Sequence, residues 1–206
     1  MQNKKDLNVM LKEAVILFAI TLISGLILGF AYELTKEPIR LQQEKAIQEA
    51  CAAVFETADS FVEQEIALDE ALVAELATTG VEIGSIYEAS SASGEMMGYV
   101  LQSTTTEGYG GDIVMYMGVT LDGTLNGISI LEISETPGLG ALAPEVLSPQ
   151  FAGKQVDSFV YTKTGAVAEN EIDAISGATV TTKAVTNAVN GGLKVVQSMI
   201  GGGSNE

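Results

Sequence analysis

Near the start of the chain, residues 14–32 (AVILFAITLISGLILGFAY) run apolar for 19 positions without a charge. At about 1.5 Å per residue this reaches roughly 29 Å, close to the hydrocarbon thickness of a bilayer, and predicts a transmembrane helix. The run is longer than the core of a usual signal peptide, and Glu33-Leu34-Thr35-Lys36 offers no small-residue cleavage pattern, so an uncleaved anchor is expected. Gly25 and Gly29 lie four apart on one helix face, where a neighbouring membrane helix could pack closely.

Beyond the anchor the apolar positions change period twice. Pro38 suits the first turn of a new helix, and Ala46, Ile47, Ala50, Cys51, Val54 and Phe55 recur at helical spacing opposite Gln42, Gln43, Glu49 and Glu56. Residues 59–80 are acidic and Ala-rich, with a short helix expected at 69–77. From Val81 the period falls towards two, which predicts strands at 83–89, 96–103, 113–121 and 124–133, with Asp122-Gly123 as a hairpin turn. Residues 145–170 read as irregular apart from a short strand at 158–162. After Thr179, the positions Val180, Ala184, Val185, Ala188, Val189, Leu193, Val196 and Ile200 mark one face of a helix. Gly191-Gly192 in its middle implies close packing or a kink.

The pattern predicts an α+β protein: a single N-terminal membrane helix, then a twisted, mostly antiparallel sheet flanked by helices. The expected divisions are a polar N-terminus at 1–13, the membrane helix at 14–32, a helical stalk and linker at 33–80, a folded domain at 81–200 and a flexible tail at 201–206.

Charge and composition narrow the chemistry. The chain carries a net charge of −17, and no Lys or Arg occurs between Lys45 and Lys154. From residue 46 onward 22 acidic residues face only four lysines, so this surface repels nucleic acid and anionic lipid. Lys4, Lys5 and Lys12 flank the anchor on one side, and Lys36, Arg40 and Lys45 on the other. An acidic domain without basic residues for a hundred positions crosses a membrane readily, which favours a cytoplasmic N-terminus and an extracytoplasmic domain at the cytoplasmic membrane. Cys51 is the single cysteine and histidine is absent, so this chain cannot build a disulfide, a thiolate metal cluster or a His-based catalytic site alone. On its apolar stripe Cys51 reads as a small buried hydrophobe.

Two segments remain that suit a ligand. Ser176-Gly177-Ala178-Thr179 stands where irregular chain gives way to the last helix. Hydroxyls there satisfy orphan N–H groups, the small residues expose backbone, and the helix start attracts an anion such as phosphate. An ordinary capped helix would show the same residues. Glu135-Thr136-Pro137-Gly138-Leu139-Gly140 is a Pro-Gly turn that adds a carboxylate and a hydroxyl.

With Asp173 three residues before Ser176, with the 135–140 loop about forty residues upstream, and with the Lys36-Glu37-Pro38-Ile39 segment and the Gly108-Tyr109-Gly110 loop, the chain resembles the covalent FMN-binding domain family. Within that family it looks like the G subunits of Rnf ion-translocating electron transport complexes. The resemblance implies FMN linked through its phosphate to Thr179, with Ser176, Gly177, Ala178, Thr181 and Thr182 around the phosphate. It implies that Glu135, Thr136, Leu139 and Gly140 lie against the flavin, and that Asp173 helps a separate flavin transferase recognise the site. Lys163 is a further candidate contact, by charge alone. The implied function is electron transfer as one subunit of a redox-driven ion-translocating oxidoreductase, beside other membrane and peripheral subunits and not as a stand-alone enzyme. Two other readings compete: the C subunit of a Na⁺-translocating NADH:quinone reductase, which shares the motif, and an anchored scaffold module without flavin.

Overall fold

The computed structural model describes the backbone from residue 2 to 202 and side chains from 10 to 201; residues 203–206 of the tail expected at 201–206, and the side chains of Lys4 and Lys5, lie outside the described residues. Contacts divide the chain into one unit ending at Lys45 and a second beginning at Ala46.

The first unit is helical throughout its described residues. A single helix, α1 (Gln2–Val54), runs through Pro38 instead of restarting there. Proline removes one N–H bond from a helix interior. Here the turn around it is braced by Arg40, whose guanidinium pairs with Glu37 and Glu44, each at 2.5 Å. Pairs at these spacings support a helix modestly when, as here, they are exposed to solvent. Large apolar side chains from Met10 to Tyr32 are exposed, among them Val15, Leu17, Phe18, Leu26, Leu28 and Phe30. This is the one helix among the described residues long and apolar enough to cross a membrane. Gly25 and Gly29 leave open space beside them in the isolated chain.

The second unit takes in the last two turns of α1 and more of the segment 33–80 than a linker would. β1 (Ser60–Gln64) is a strand where the acidic, Ala-rich composition predicts none. α2 (Glu70–Thr78) is capped by Asp69, whose carboxylate accepts the Ala71 N–H at 2.7 Å. Then come β2 (Val81–Ser90), β3 (Met96–Thr105), β4 (Ile113–Thr120) and β5 (Leu125–Ile133), within two residues of the periodicity's expectation at either end. The five strands form one antiparallel meander in chain order. Residues 145–170 hold more regular structure than expected. A 3₁₀ turn (Gly140–Leu142) leads into α3 (Ala143–Val146), α4 (Ser148–Phe151) and β6 (Val160–Thr162). β6 pairs in parallel with β7 (Glu171–Asp173). α5 (Thr179–Gly202) closes the fold and continues through Gly201 and Gly202, beyond the end that the glycines predict.

Both faces of the sheet are covered, which is why β4 reads as a nearly unbroken apolar run. Ile113, Met115 and Met117 belong to the core under α5, with Val185, Ala188, Val189 and Leu193 of that helix. Tyr116, pointing the other way, joins a second core with Ala50, Cys51, Val54 and Phe55 from the end of α1. Cys51 is 1% exposed, and burial pushes its thiol up to about 11, as befits an inert hydrophobe. The glycine pair in α5 reflects close packing. A Cβ at Gly191 would come within 2.8 Å of Val81 Cγ1, and one at Gly192 within 3.0 Å of Met117 Cε.

The α1 end seats on the sheet through Gly118. A Cβ there would overlap the Val54 carbonyl oxygen and come within 3.1 Å of its carbon. Backbone at a helix end yields poorly, so Gly118→Ala is expected to destabilise the domain by about 2 kcal/mol, a usual cost of overpacking. Urea denaturation of the two proteins measures this; equal midpoints would show that the helix end moves freely.

Candidate functional site

At the N-terminus of α5 the chain makes a tight turn that exposes its own backbone. The Ala178 N–H donates to the Ile175 carbonyl at 3.0 Å, with Gly177 at φ +79° in the third position. That is the position of a type II turn which glycine fills without strain. The Thr182 hydroxyl accepts the Ile175 N–H at 3.1 Å and donates to the Ala178 carbonyl at 3.0 Å, clamping turn and helix together. The N–H groups of Thr179, Val180 and Thr181 form the first turn of α5 and, among the described residues, take no hydrogen-bond acceptor. Such a set attracts an anion.

The 135–140 loop folds over this helix start. Pro137 and Gly138, the latter at φ +77°, turn the chain so that the Leu139 N–H donates to the Thr136 carbonyl at 3.1 Å. Glu135 is 7% exposed and joins three separate segments. Its Oε1 accepts the N–H groups of Tyr109 at 2.6 Å and Gly110 at 3.2 Å. Its Oε2 accepts the hydroxyl of Thr181 at 2.9 Å. A buried carboxylate with three donors is well satisfied without a cation. Glu135 is thus the brace of the site as well as part of its lining.

Glycines let these segments meet. A Cβ at Gly140 would overlap the Thr181 hydroxyl and lie 2.6 Å from Glu135 Oε2, and one at Gly110 would run into the Ser134 carbonyl. The result is a cavity of about 500 Å³ lined by Tyr109, Glu135, Thr136, Leu139, Gly140, Gly177, Ala178, Thr179, Val180 and Thr181. Its volume lies in the range of small-molecule sites. One end offers backbone N–H groups and hydroxyls; Tyr109, Leu139 and Val180 supply exposed apolar surface. This division matches a ligand with an anionic tail and a flat apolar ring.

Eight of the eleven residues expected from the sequence line this cavity: Glu135, Thr136, Leu139, Gly140, Gly177, Ala178, Thr179 and Thr181. Three do not. Ser176 is exposed on the turn outside the lining, and Thr182 is buried in the clamp described above. Asp173 is exposed and holds the loop before it, its Oδ1 accepting the Ala166 N–H at 2.6 Å. Lys163 is exposed and lies outside the lining. Val180, expected in the core, is half exposed at the cavity because Thr181 and Thr182 take the buried positions of that turn. Tyr109 lines the cavity although no site residue is expected from the Gly108-Tyr109-Gly110 loop by sequence; its signal there is an aromatic ring flanked by glycines.

Comparisons with known proteins bear on the region that holds this cavity. A family model described as an FMN-binding domain matches residues 108–194, which contain every lining residue. The G subunit of a Na(+)-translocating ferredoxin:NAD(+) oxidoreductase complex from Acetobacterium woodii is 40% identical over 57% of this chain and 58% of that protein, so this alignment spans little more than half of each. The G subunit of an ion-translocating oxidoreductase complex from Methanosarcina acetivorans is 29% identical over 98% of this chain and 100% of its own length. The G subunit of a proton-translocating ferredoxin:NAD(+) oxidoreductase complex from Clostridium ljungdahlii is 31% identical over 87% of this chain and 88% of that protein.

Proposed function

We propose, on the premise that this chain belongs to the G-subunit family of ion-translocating oxidoreductase complexes and has its FMN-binding domain, that it carries electrons through an FMN esterified by its phosphate to Thr179. One observation carries the attachment site. Of the four hydroxyls in residues 176–182, Thr181 is committed to Glu135 and Thr182 to the turn, while Ser176 stands outside the cavity. Thr179 lines the cavity, is half-buried, and its hydroxyl makes no hydrogen bond among the described residues. It also begins α5, so a phosphate on its oxygen would meet the free N–H groups of that turn.

FMN, when bound, supplies the electron chemistry that a chain without His or paired Cys lacks. The protein's part is to hold it. The α5 N–H groups would donate to the phosphate, the Tyr109, Leu139 and Val180 side chains would offer apolar surface to the ring, and Glu135 keeps the three walls in register. The domain works outside the cytoplasm, tethered by the membrane helix beside the other members of its complex, and a flavin transferase installs the cofactor. A covalent tether suits that side, where scarce free FMN would otherwise leave a reversible site empty.

The tether is tested by unfolding. Protein produced with a flavin transferase, denatured in guanidinium and gel-filtered, should keep its yellow chromophore on the polypeptide in full. Flavin eluting as a small molecule would overturn the covalent reading.

A further inference from the structure

The second unit has four lysines, and they are placed very differently. Lys154 lies over the Phe159 ring at 5.6 Å and donates to the Glu171 carbonyl at 3.4 Å. Lys163 is exposed on the loop between β6 and β7. Lys194 pairs with Glu75, far along α5. Lys183 alone stands within one turn of Thr179, at i+4 on the same face of the helix. Helical side chains lean towards the N-terminus, which brings its ammonium back towards the helix start. There it meets Glu107 Oε2 at 3.2 Å, on the residue two positions before Tyr109. The pair therefore bridges the two segments that carry Thr179 and Tyr109, both of which line the cavity.

Both partners are substantially exposed, at 53% for Lys183 and 39% for Glu107. Exposed pairs of this kind contribute little stability, so this one has no strong structural duty. Its position beside the cavity, in a surface otherwise dominated by carboxylates, gives its charge another effect. Resting on the FMN reading above, we propose that Lys183 is a potential-setting residue: its positive charge, partly offset by Glu107, raises the reduction potential of the bound flavin. The reduced ring carries more negative charge than the oxidised one, so a nearby cation favours reduction, and removal of the carboxylate that masks it favours reduction further. The axial distance from Thr179 to Lys183 is about 6 Å, inside the Debye length of roughly 8 Å at physiological salt. Lys194 lies about 16 Å beyond Lys183 along the helix, well outside it.

Potentiometry on the full-length flavoprotein in detergent tests the assignment. The midpoint should fall in Lys183→Gln, rise in Glu107→Gln and return close to the unsubstituted value in the double variant. Lys194→Gln removes an equal charge from a similar exposed pair and should leave the midpoint unchanged. Flavin content per chain should be the same in all five proteins, because none of these residues holds the cofactor. A Lys183→Gln midpoint equal to the unsubstituted one, or displaced no further than that of Lys194→Gln, would overturn the inference while leaving the FMN reading intact. Absence of flavin from the unsubstituted protein would instead overturn the FMN reading, and this inference with it.

Discussion

Glu135→Leu is expected to lower the stability of the domain by about 2–4 kcal/mol and to open the cavity. The substitution keeps the side-chain volume but removes the acceptor of two backbone N–H groups and the Thr181 hydroxyl. The buried Thr181 hydroxyl left unpaired costs about 1–3 kcal/mol, and the N–H groups of the exposed Tyr109 and Gly110, which can turn to water, add less. The wall that carries Tyr109 would open first, because Tyr109 and Gly110 are tied to the 135–140 loop through this carboxylate. Glu135→Gln should cost far less, about 1 kcal/mol, because an amide oxygen can still accept the two N–H groups while its NH₂ donates to a rotated Thr181 hydroxyl. Denaturation midpoints of the three proteins check the order, and flavin fluorescence of the same samples reports whether the wall around the ring has moved. Equal loss in Leu and Gln would mean that the negative charge matters and the hydrogen bonds do not.

The two hydrophobic periods carry most of the fold. Alternation locates β2, β3 and β5, β4 shows as a nearly unbroken apolar run because the α5 core and the α1 core cover its two faces, and the helical stripe of α5 is legible down to the buried glycine pair. What escapes has physical causes. β1 sits at the sheet's edge with one neighbour, exposing Val62 and burying little, so its sequence carries a weak alternation. Pro38 is a poor guide to a helix boundary here: the helix continues through it, with Arg40 paired to Glu37 across the proline turn and to Glu44 in the turn after it. The second unit starts at Ala46 because the Cys51 and Phe55 face packs against Tyr116, a contact made across more than sixty residues.

At the site, the turn, the helix start and the Pro-Gly loop are all legible in the residues. The ranking of the hydroxyls is not, since Thr179, Thr181 and Thr182 look alike until their partners are known. Those partners lie as far apart as Glu135 and Thr181. Asp173 likewise needs its partners to be placed: it stands near the motif in sequence, and its exposed carboxylate accepts from the loop before it.

Thr179→Ala should abolish attachment altogether, an effect unlike the graded losses above. The remaining hydroxyls cannot replace it: Ser176 lies outside the cavity, and Thr181 and Thr182 are buried and bonded elsewhere. The domain itself should stay folded. Thr179 makes no hydrogen bond among the described residues, and alanine is a good helix former, so its stability should change by less than about 1 kcal/mol. Intact mass of the chain produced with a flavin transferase, with and without this substitution, tests the account most directly. The unsubstituted protein should gain the mass of one FMN less one water and the Thr179→Ala protein should gain none; no gain in the first, or the same gain in both, would contradict it.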